Sequence, residues 1–351
     1  MMKKEELLRH VGSMQQVAYA RRLTFGEGRS RGMEAVEVKN GPLRYTVMAD
    51  KCLDICELSY KGLTINFLSK PGLNGRNPFD THGAEAQRSI MGGLFFTCGL
   101  ENICAPYTGA DGKEYPMHGR LRTTPAEHLC ADAGWQGEDY VLSVSGEMRE
   151  AELFGENLLL RRSITSRYGE SEIRLVDEVV NEGFREEPMM LMYHCNMGFP
   201  FLREGVRLIL PTEKVTPREE VSAGHQEGWA VMDAPRDNEP EYVFLHQLRA
   251  GENGETFAAV VDDEREIAFE LCFNRGQLPY FMEWKSTASG DYVIGLEPSN
   301  SAVYGRGYHE ERGDLHRLPA QGCERVELIF RVHEGAEAIR GLEQRCRELM
   351  S

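Results

Sequence analysis

The middle of the chain is a succession of short alternating apolar and polar runs separated by turn residues, and that pattern leaves few folds open. AVEVKNGPLRYTVMAD, residues 35–50, is two such runs around an Asn-Gly pair, the strongest short-range signal for a β-hairpin. NLLLRRSITSRYGESEIRLVDEVVNEG, residues 157–183, repeats the device around Tyr-Gly-Glu-Ser, and RVELIFRVHEG alternates once more from residue 325. A period of two puts successive side chains on opposite faces, so these segments read as strands with one face buried. Helical periodicity is confined to the ends. It predicts helices at about 3–20, in KKEELLRHVGSMQQVAYA, and at about 335–349, in GAEAIRGLEQRCREL, where Ala338, Leu342 and Cys346 recur at i, i+4 and i+8.

The 36 glycines and 15 prolines are spread as punctuation, with no linker, repeat or low-complexity tract to divide the chain. The expectation is one mainly β, antiparallel domain over residues 1–351. The stretch from Ser69 to His118 is poor in strand signals and rich in glycine. Loops of that length on a β scaffold tend to build sites.

Lys plus Arg number 40 against 56 Asp plus Glu, a formal charge of -16, and no window gathers the basic residues into a stripe. Nucleic acid and anionic membranes are therefore poor partners, since both need a positive surface. The nine cysteines are scattered, mostly in apolar settings such as LFFTCGL, and none forms a C-x-x-C pair, so reduced core thiols are expected. No apolar run has signal-peptide length or the roughly 18 residues that span a bilayer. A cytoplasmic protein is expected, and a homo-oligomer is compatible with the sequence.

Three stretches set ionisable groups among apolar residues or glycines. In YPMHGRLRTTPAEH, His118 precedes a glycine and two arginines. In MYHCNMGFP, alternation puts His194 and Asn196 on one face and Tyr193 and Cys195 on the other. That polar face fits either a wet cavity or an internally hydrogen-bonded pair. In MEWKSTASGDYVIGLEPSN, Glu297 ends a very apolar strand, where burial would raise its pKa toward the range useful for proton transfer. Two histidines and a glutamate could divide acid and base duties, with Asn196, Arg88 or Lys285 holding substrate oxygens. A metal would compete for the same donors, but no local pair has ligand spacing. Nor is there a G-x-S-x-G nucleophile motif.

Taken in order, MGGLFFTCGLENI, MHGRLRTTPAEH, YHCNMGFP and GLEPSN resemble the DUF4432 branch of the aldose 1-epimerase (galactose mutarotase-like) family. The resemblance runs from about Ala35 to His333. ADKCLDI is similar to that branch's DRGLDI signature, with Lys51 and Cys52 where the branch has Arg-Gly.

The resemblance implies an antiparallel β-supersandwich with short terminal helices and an open sugar cleft. It implies a small carbohydrate as partner, no cofactor, and chemistry in which a carboxylate takes the proton of the anomeric hydroxyl while a histidine protonates the ring oxygen. Carried over by motif, Glu297 is the general base, His194 the acid and His118 the second histidine near the ring oxygen. Arg88 is the candidate substrate-binding arginine, and Asn196, Arg120, Trp284 and Lys285 are candidate wall residues. A lyase or isomerase acting on a keto-sugar derivative, or a non-catalytic sugar binder, would fit the same scaffold.

Overall fold

The computed structural model of the chain describes residues 3–75 and 82–351. The predicted hairpins are present. Glu34–Lys39 pairs antiparallel with Leu43–Met48 across the Asn-Gly turn, with Lys39 opposite Arg44. Asn40 is fully buried there, because its amide donates to the carbonyls of Arg167 and Glu170 at 3.1 and 3.0 Å. The turn residue thus clasps the second hairpin, Asn157–Arg167 with Glu172–Asn181.

Among the described residues three large antiparallel sheets result, beside three two-stranded ribbons. One has five strands from Tyr19–Thr24 through Leu63–Thr64 in chain order. The largest has eight and runs Glu127–Gln136, Asp139–Ala151, Asn157–Arg167, Glu172–Asn181, Cys323–Glu334, Ile267–Asn274, Glu255–Asp262, Arg207–Ile209. The third has six: Thr212–Pro217, Tyr242–Leu248, Tyr280–Ala288, Asp291–Ser299, Met190–Gly198, Phe95–Leu100. One apolar core draws on all three, with Val47, Leu160 and Tyr193 in the same cluster. This is the mainly β, antiparallel architecture that the alternation predicts, in the sandwich-like arrangement that the resemblance implies, with few and short helices. Among the described residues no helix is long and apolar enough to cross a membrane.

Two segments differ from expectation. Residues 3–20 hold only a five-residue helix, Lys4–Leu8, a single 3-10 turn, Met14–Gln16, and the start of a strand. Gly12 and Ser13 interrupt the helix, and the Ser13 hydroxyl accepts from the Gln15 amide to start the turn instead. Leu7, Val11, Met14 and Ala18 still reach the core. Their helical spacing served burial without a continuous helix. The predicted C-terminal helix forms over Ala336–Met350, anchored by Ile339 and Leu342.

The second difference lies in the glycine-rich stretch after Ser69, which contains Phe95–Leu100, buried along its whole length beside Met190–Gly198. A strand buried on both faces shows no alternation, so its sequence lacks the periodic signal.

Beneath the six-stranded sheet lies a buried ion network. Arg162 and Asp177 occupy core-facing positions on neighbouring strands, directly opposite in register. The guanidinium donates to both Asp177 oxygens at 2.8 and 2.6 Å, to Asp54 at 2.7 Å, to the Cys52 carbonyl at 2.9 Å and to the Thr97 hydroxyl at 2.9 Å. All five of its N–H groups are used. The Tyr193 hydroxyl adds a 2.7 Å bond to Asp177. The aspartate of the KCLDI stretch is therefore a structural partner of Arg162, and the chain turns into it through Cys52 and Leu53, both left-handed at φ 55° and 54°. The first of these is the position where the DUF4432 signature has glycine, the residue with the least cost there.

Removing the cation would strand two buried carboxylates. Arg162→Leu is expected to destabilise the fold by about 3–5 kcal/mol in urea unfolding. Arg161→Leu, which deletes the exposed neighbour paired to Glu147, is expected to change stability by less than about 1 kcal/mol.

Candidate active site

The face of the six-stranded sheet opposite that network forms the floor of an open cleft of about 700 Å³. Alternation decides what stands on it. Tyr193 and Cys195 point into the core, so His194 and Asn196 point into the cleft. Cys195 lies opposite Leu296 and Met192 opposite Ser299, which sets His194 beside Glu297 on the adjoining strand. Trp284 comes from the next strand, opposite Gly295. A side chain at Gly295 would start 3.0 Å from a Glu297 carboxylate oxygen and 3.1 Å from Trp284 Cβ. The glycine leaves room for both.

His118 reaches the same cleft from a loop. Its backbone is left-handed, at φ 58°, and is pinned on both sides, its N–H to the Cys104 carbonyl at 2.9 Å and its carbonyl to the Gly99 N–H at 3.2 Å. A Cβ on the following Gly119 would lie 2.2 Å from the Gly99 carbonyl oxygen, so only glycine fits. The His-Gly pair of the motif is thus a tight apposition to the Phe95–Leu100 strand. The two imidazoles are 5.8 Å apart, Phe96 stacks on His194 at 4.5 Å, and Trp284 meets it edge-on at 5.2 Å.

The hydrogen bonds fix the state of His194. The Asn196 amide nitrogen donates to the His194 carbonyl at 2.7 Å, which turns its oxygen toward His194 Nδ1, also 2.7 Å away. Nδ1 must carry the hydrogen, and Nε2 is left to the cleft. Nε2 lies 3.1 Å from Glu297 Oε1, yet without an aligned hydrogen bond, so that oxygen is buried with no hydrogen-bond partner. Burial pushes the Glu297 carboxyl up to about 8, offset in part by Arg218 and reinforced by Glu241. Burial lowers His194 to about 4 against the opposing bond to Asn196. His118 is held well below the usual imidazole range by burial, then by His194 and Arg122. At neutral pH the Glu297–His194 pair therefore holds one proton, resting on the glutamate.

Glu297, His194, His118, Asn196 and Trp284 line one cleft. Three other predicted residues are elsewhere. Arg88 is 77% exposed, beside Glu85, in a separate depression with His82 and Glu114. Arg120 turns to Glu101 and the Glu114 carbonyl. Lys285 is one residue from Trp284 and so faces the other side of the sheet, where its ammonium donates to the Gly228 and Val231 carbonyls. Each has found an acidic or carbonyl partner outside the cleft.

Residues without a motif take their place. Arg218 lines the wall and is held by Glu219 at 2.8 Å, and Glu241 accepts from the Trp284 indole at 2.7 Å. Lys70 and Asp291 pair across the rim, and Gln87 lines the cleft where Arg88 does not. Their local sequences are ordinary polar runs, so only the fold distinguishes them. Among the described residues no three His, Cys, Asp or Glu side chains converge closely enough to hold a metal ion.

The tautomer is directly observable. Long-range ¹H–¹⁵N spectra at pH 7 are expected to show His194 protonated at Nδ1 and bare at Nε2. Asn196→Leu is expected to abolish that preference.

The family model described as Domain of unknown function (DUF4432) matches residues 30–332. No curated protein matches the sequence significantly. Among solved structures, a protein from Klebsiella pneumoniae provisionally titled an aldose 1-epimerase superposes with a TM-score of 0.90 at 21% identity, over 100% of this chain and 91% of that one. A galactose mutarotase-like protein from Clostridium acetobutylicum gives 0.62 at 13% identity, covering 91% and 100%. Galactose 1-epimerase from Lactobacillus acidophilus gives 0.56 at 11%, covering 91% and 99%. At such identities these likenesses speak for a shared fold alone.

Proposed function

Since the chain belongs to the DUF4432 family and shares its fold with aldose 1-epimerase and galactose mutarotase-like proteins, we propose that it is a carbohydrate isomerase that interconverts sugar anomers by acid–base ring opening. One observation carries the reading: a buried carboxylate and two imidazoles, far apart in sequence, line a single open cleft. A binding protein needs hydrogen-bond partners for a sugar but no matched acid and base.

In the reactive state the single proton of the pair sits on His194 and the Glu297 carboxylate is bare. The 3.1 Å separation of Nε2 and Oε1 is short enough for the proton to cross when a polar substrate fills the dry space around them. Glu297 then takes the proton of the anomeric hydroxyl, whose electrons form the C1 carbonyl. The C1–ring-oxygen bond breaks, and that oxygen receives the proton from His194 Nε2. Rotation about C1–C2 and the reverse transfers close the other anomer, returning each proton to its origin. Asn196 keeps the imidazole in the tautomer whose Nε2 faces the reaction. His118, kept neutral by its burial, is a second hydrogen-bonding group beside the ring oxygen, and the Trp284 ring offers an apolar face to the sugar's C–H groups.

Glu297→Gln and His194→Ala are each expected to lower anomer exchange, followed by NMR exchange spectroscopy over a panel of sugars, by at least about 10²-fold with the thermal transition preserved. Full activity in either variant would defeat the assignment. Exchange absent throughout the panel, with turnover of a keto-sugar, would favour the lyase or ketose-isomerase reading. Sugar binding with no turnover of either kind would favour a binder.

The shared proton makes the pH dependence specific. Below about 4 a second proton enters the pair and removes the base; above about 8 the last proton leaves and removes the acid. The expected kcat/KM profile is a plateau between those limits with a fall on each side. A rate that keeps rising through pH 9 would show that no acid is needed.

A further inference from the structure

Beside the acid–base cleft lies a second hollow of about 630 Å³. The two adjoin at Phe67. Phe67 lines both, and the tight turn between the Tyr280–Ala288 and Asp291–Ser299 strands contributes Asp291 to the first while Gly290 and Tyr292 belong to the second. Phe67 is a fixed saddle between them. A Cβ on Gly92 would lie 2.9 Å from its ring, and one on Gly198 would lie 2.8 Å from its Cα, so two glycines let its segment seat against the sheet. Asn66 bridges to Met197, which ties the saddle to the strand that carries His194.

The wall of the second hollow combines aromatic rings with polar and charged groups. Phe199, just past the end of that strand, is 74% exposed, and with Tyr292 and Phe67 it gives the hollow three aromatic rings. Arg44, Glu57 and Ser59 stand opposite on the outer face of the five-stranded sheet. An exposed phenylalanine in a concave site is a standing cost in water that a ligand's apolar surface would remove. Aromatic faces beside neutral and oppositely charged hydrogen-bonding groups suit a ring that is apolar on its C–H face and hydroxylated at its edge. That description fits an uncharged sugar.

We propose that the hollow past Phe67 is a second carbohydrate subsite, so that the substrate is a reducing disaccharide or longer glycan whose reducing-end ring sits over Glu297 and His194 and whose next ring stacks on Phe199. The proposal rests on the isomerase reading for the position of the reducing end, and on the adjoining hollows for the second ring.

Calorimetric titration of the wild-type chain and of Phe199→Ala with glucose, galactose, maltose, cellobiose, lactose and melibiose tests it. At least one disaccharide is expected to bind about tenfold more tightly than its reducing-end monosaccharide, a difference of about 1.4 kcal/mol, and Phe199→Ala is expected to collapse that ratio toward one. No disaccharide binding, no disaccharide advantage, or a ratio that survives the substitution would each overturn the subsite. Anomer exchange measured alongside separates the two readings. Disaccharide binding that depends on Phe199 without any exchange would retire the isomerase and keep the subsite, whereas exchange with no disaccharide advantage would do the reverse.

Discussion

The buried guanidinium of Arg162 is the interaction on which the rest of the molecule depends. It sits in the eight-stranded sheet, binds Asp54 from the five-stranded sheet and Thr97 from the six-stranded one, and shares Asp177 with the Tyr193 hydroxyl. Both carboxylate side chains and the arginine have no exposure. Such a cluster adds little net stability over an apolar core of equal volume, because desolvation offsets most of the attraction. Its geometry, however, admits one arrangement of the three sheets, since any other leaves a charge buried and unpaired. We read it as a specificity device, and its outermost member, Tyr193, is the residue next to His194.

The cleft is thus aimed from behind. Its polar groups stand on strands whose other faces are locked into the core, and the groups that perturb one another are set by register. Glu297 and His194 meet because their strands pair, and Nε2 is the available nitrogen because Asn196, two residues along the same face, holds Nδ1. The dryness that raises the carboxyl and lowers the imidazole comes from Phe96, Trp284 and the strand floor.

Much of this was legible in the sequence, for identifiable reasons. The Asn40-Gly41 hairpin and the 168–171 turn are local signals, and the shared face of His194 and Asn196 follows from a period of two. The pair was open between a hydrogen-bonded couple and a cavity wall, and it is both at once. Phe95–Leu100 was hidden because burial on both faces erases alternation. The arginines and lysine were the weakest inference. Charge along a sequence does not reveal which acid or carbonyl a long side chain will find, so Arg88, Arg120 and Lys285 were expected at the cleft while Arg218 and Gln87 stand there. Arg162 was not singled out from the sequence, although a charged residue at a core-facing position of an alternating run is a conflict between pattern and polarity that only a buried partner resolves.

The Met190–Gly198 strand has consequences for how such a protein can change. Its two faces carry unrelated obligations, structural at Tyr193 and Cys195, chemical at His194 and Asn196, interleaved residue by residue. Inserting or deleting one residue would exchange them, sending the imidazole into the ion network and the phenol into the cleft. Change by insertion or deletion is therefore closed to the strand. Diversification of what the cleft accepts is left to the segments around it, those bearing Phe67, Lys70, Gln87 and Arg218, where length and composition can drift without disturbing the proton.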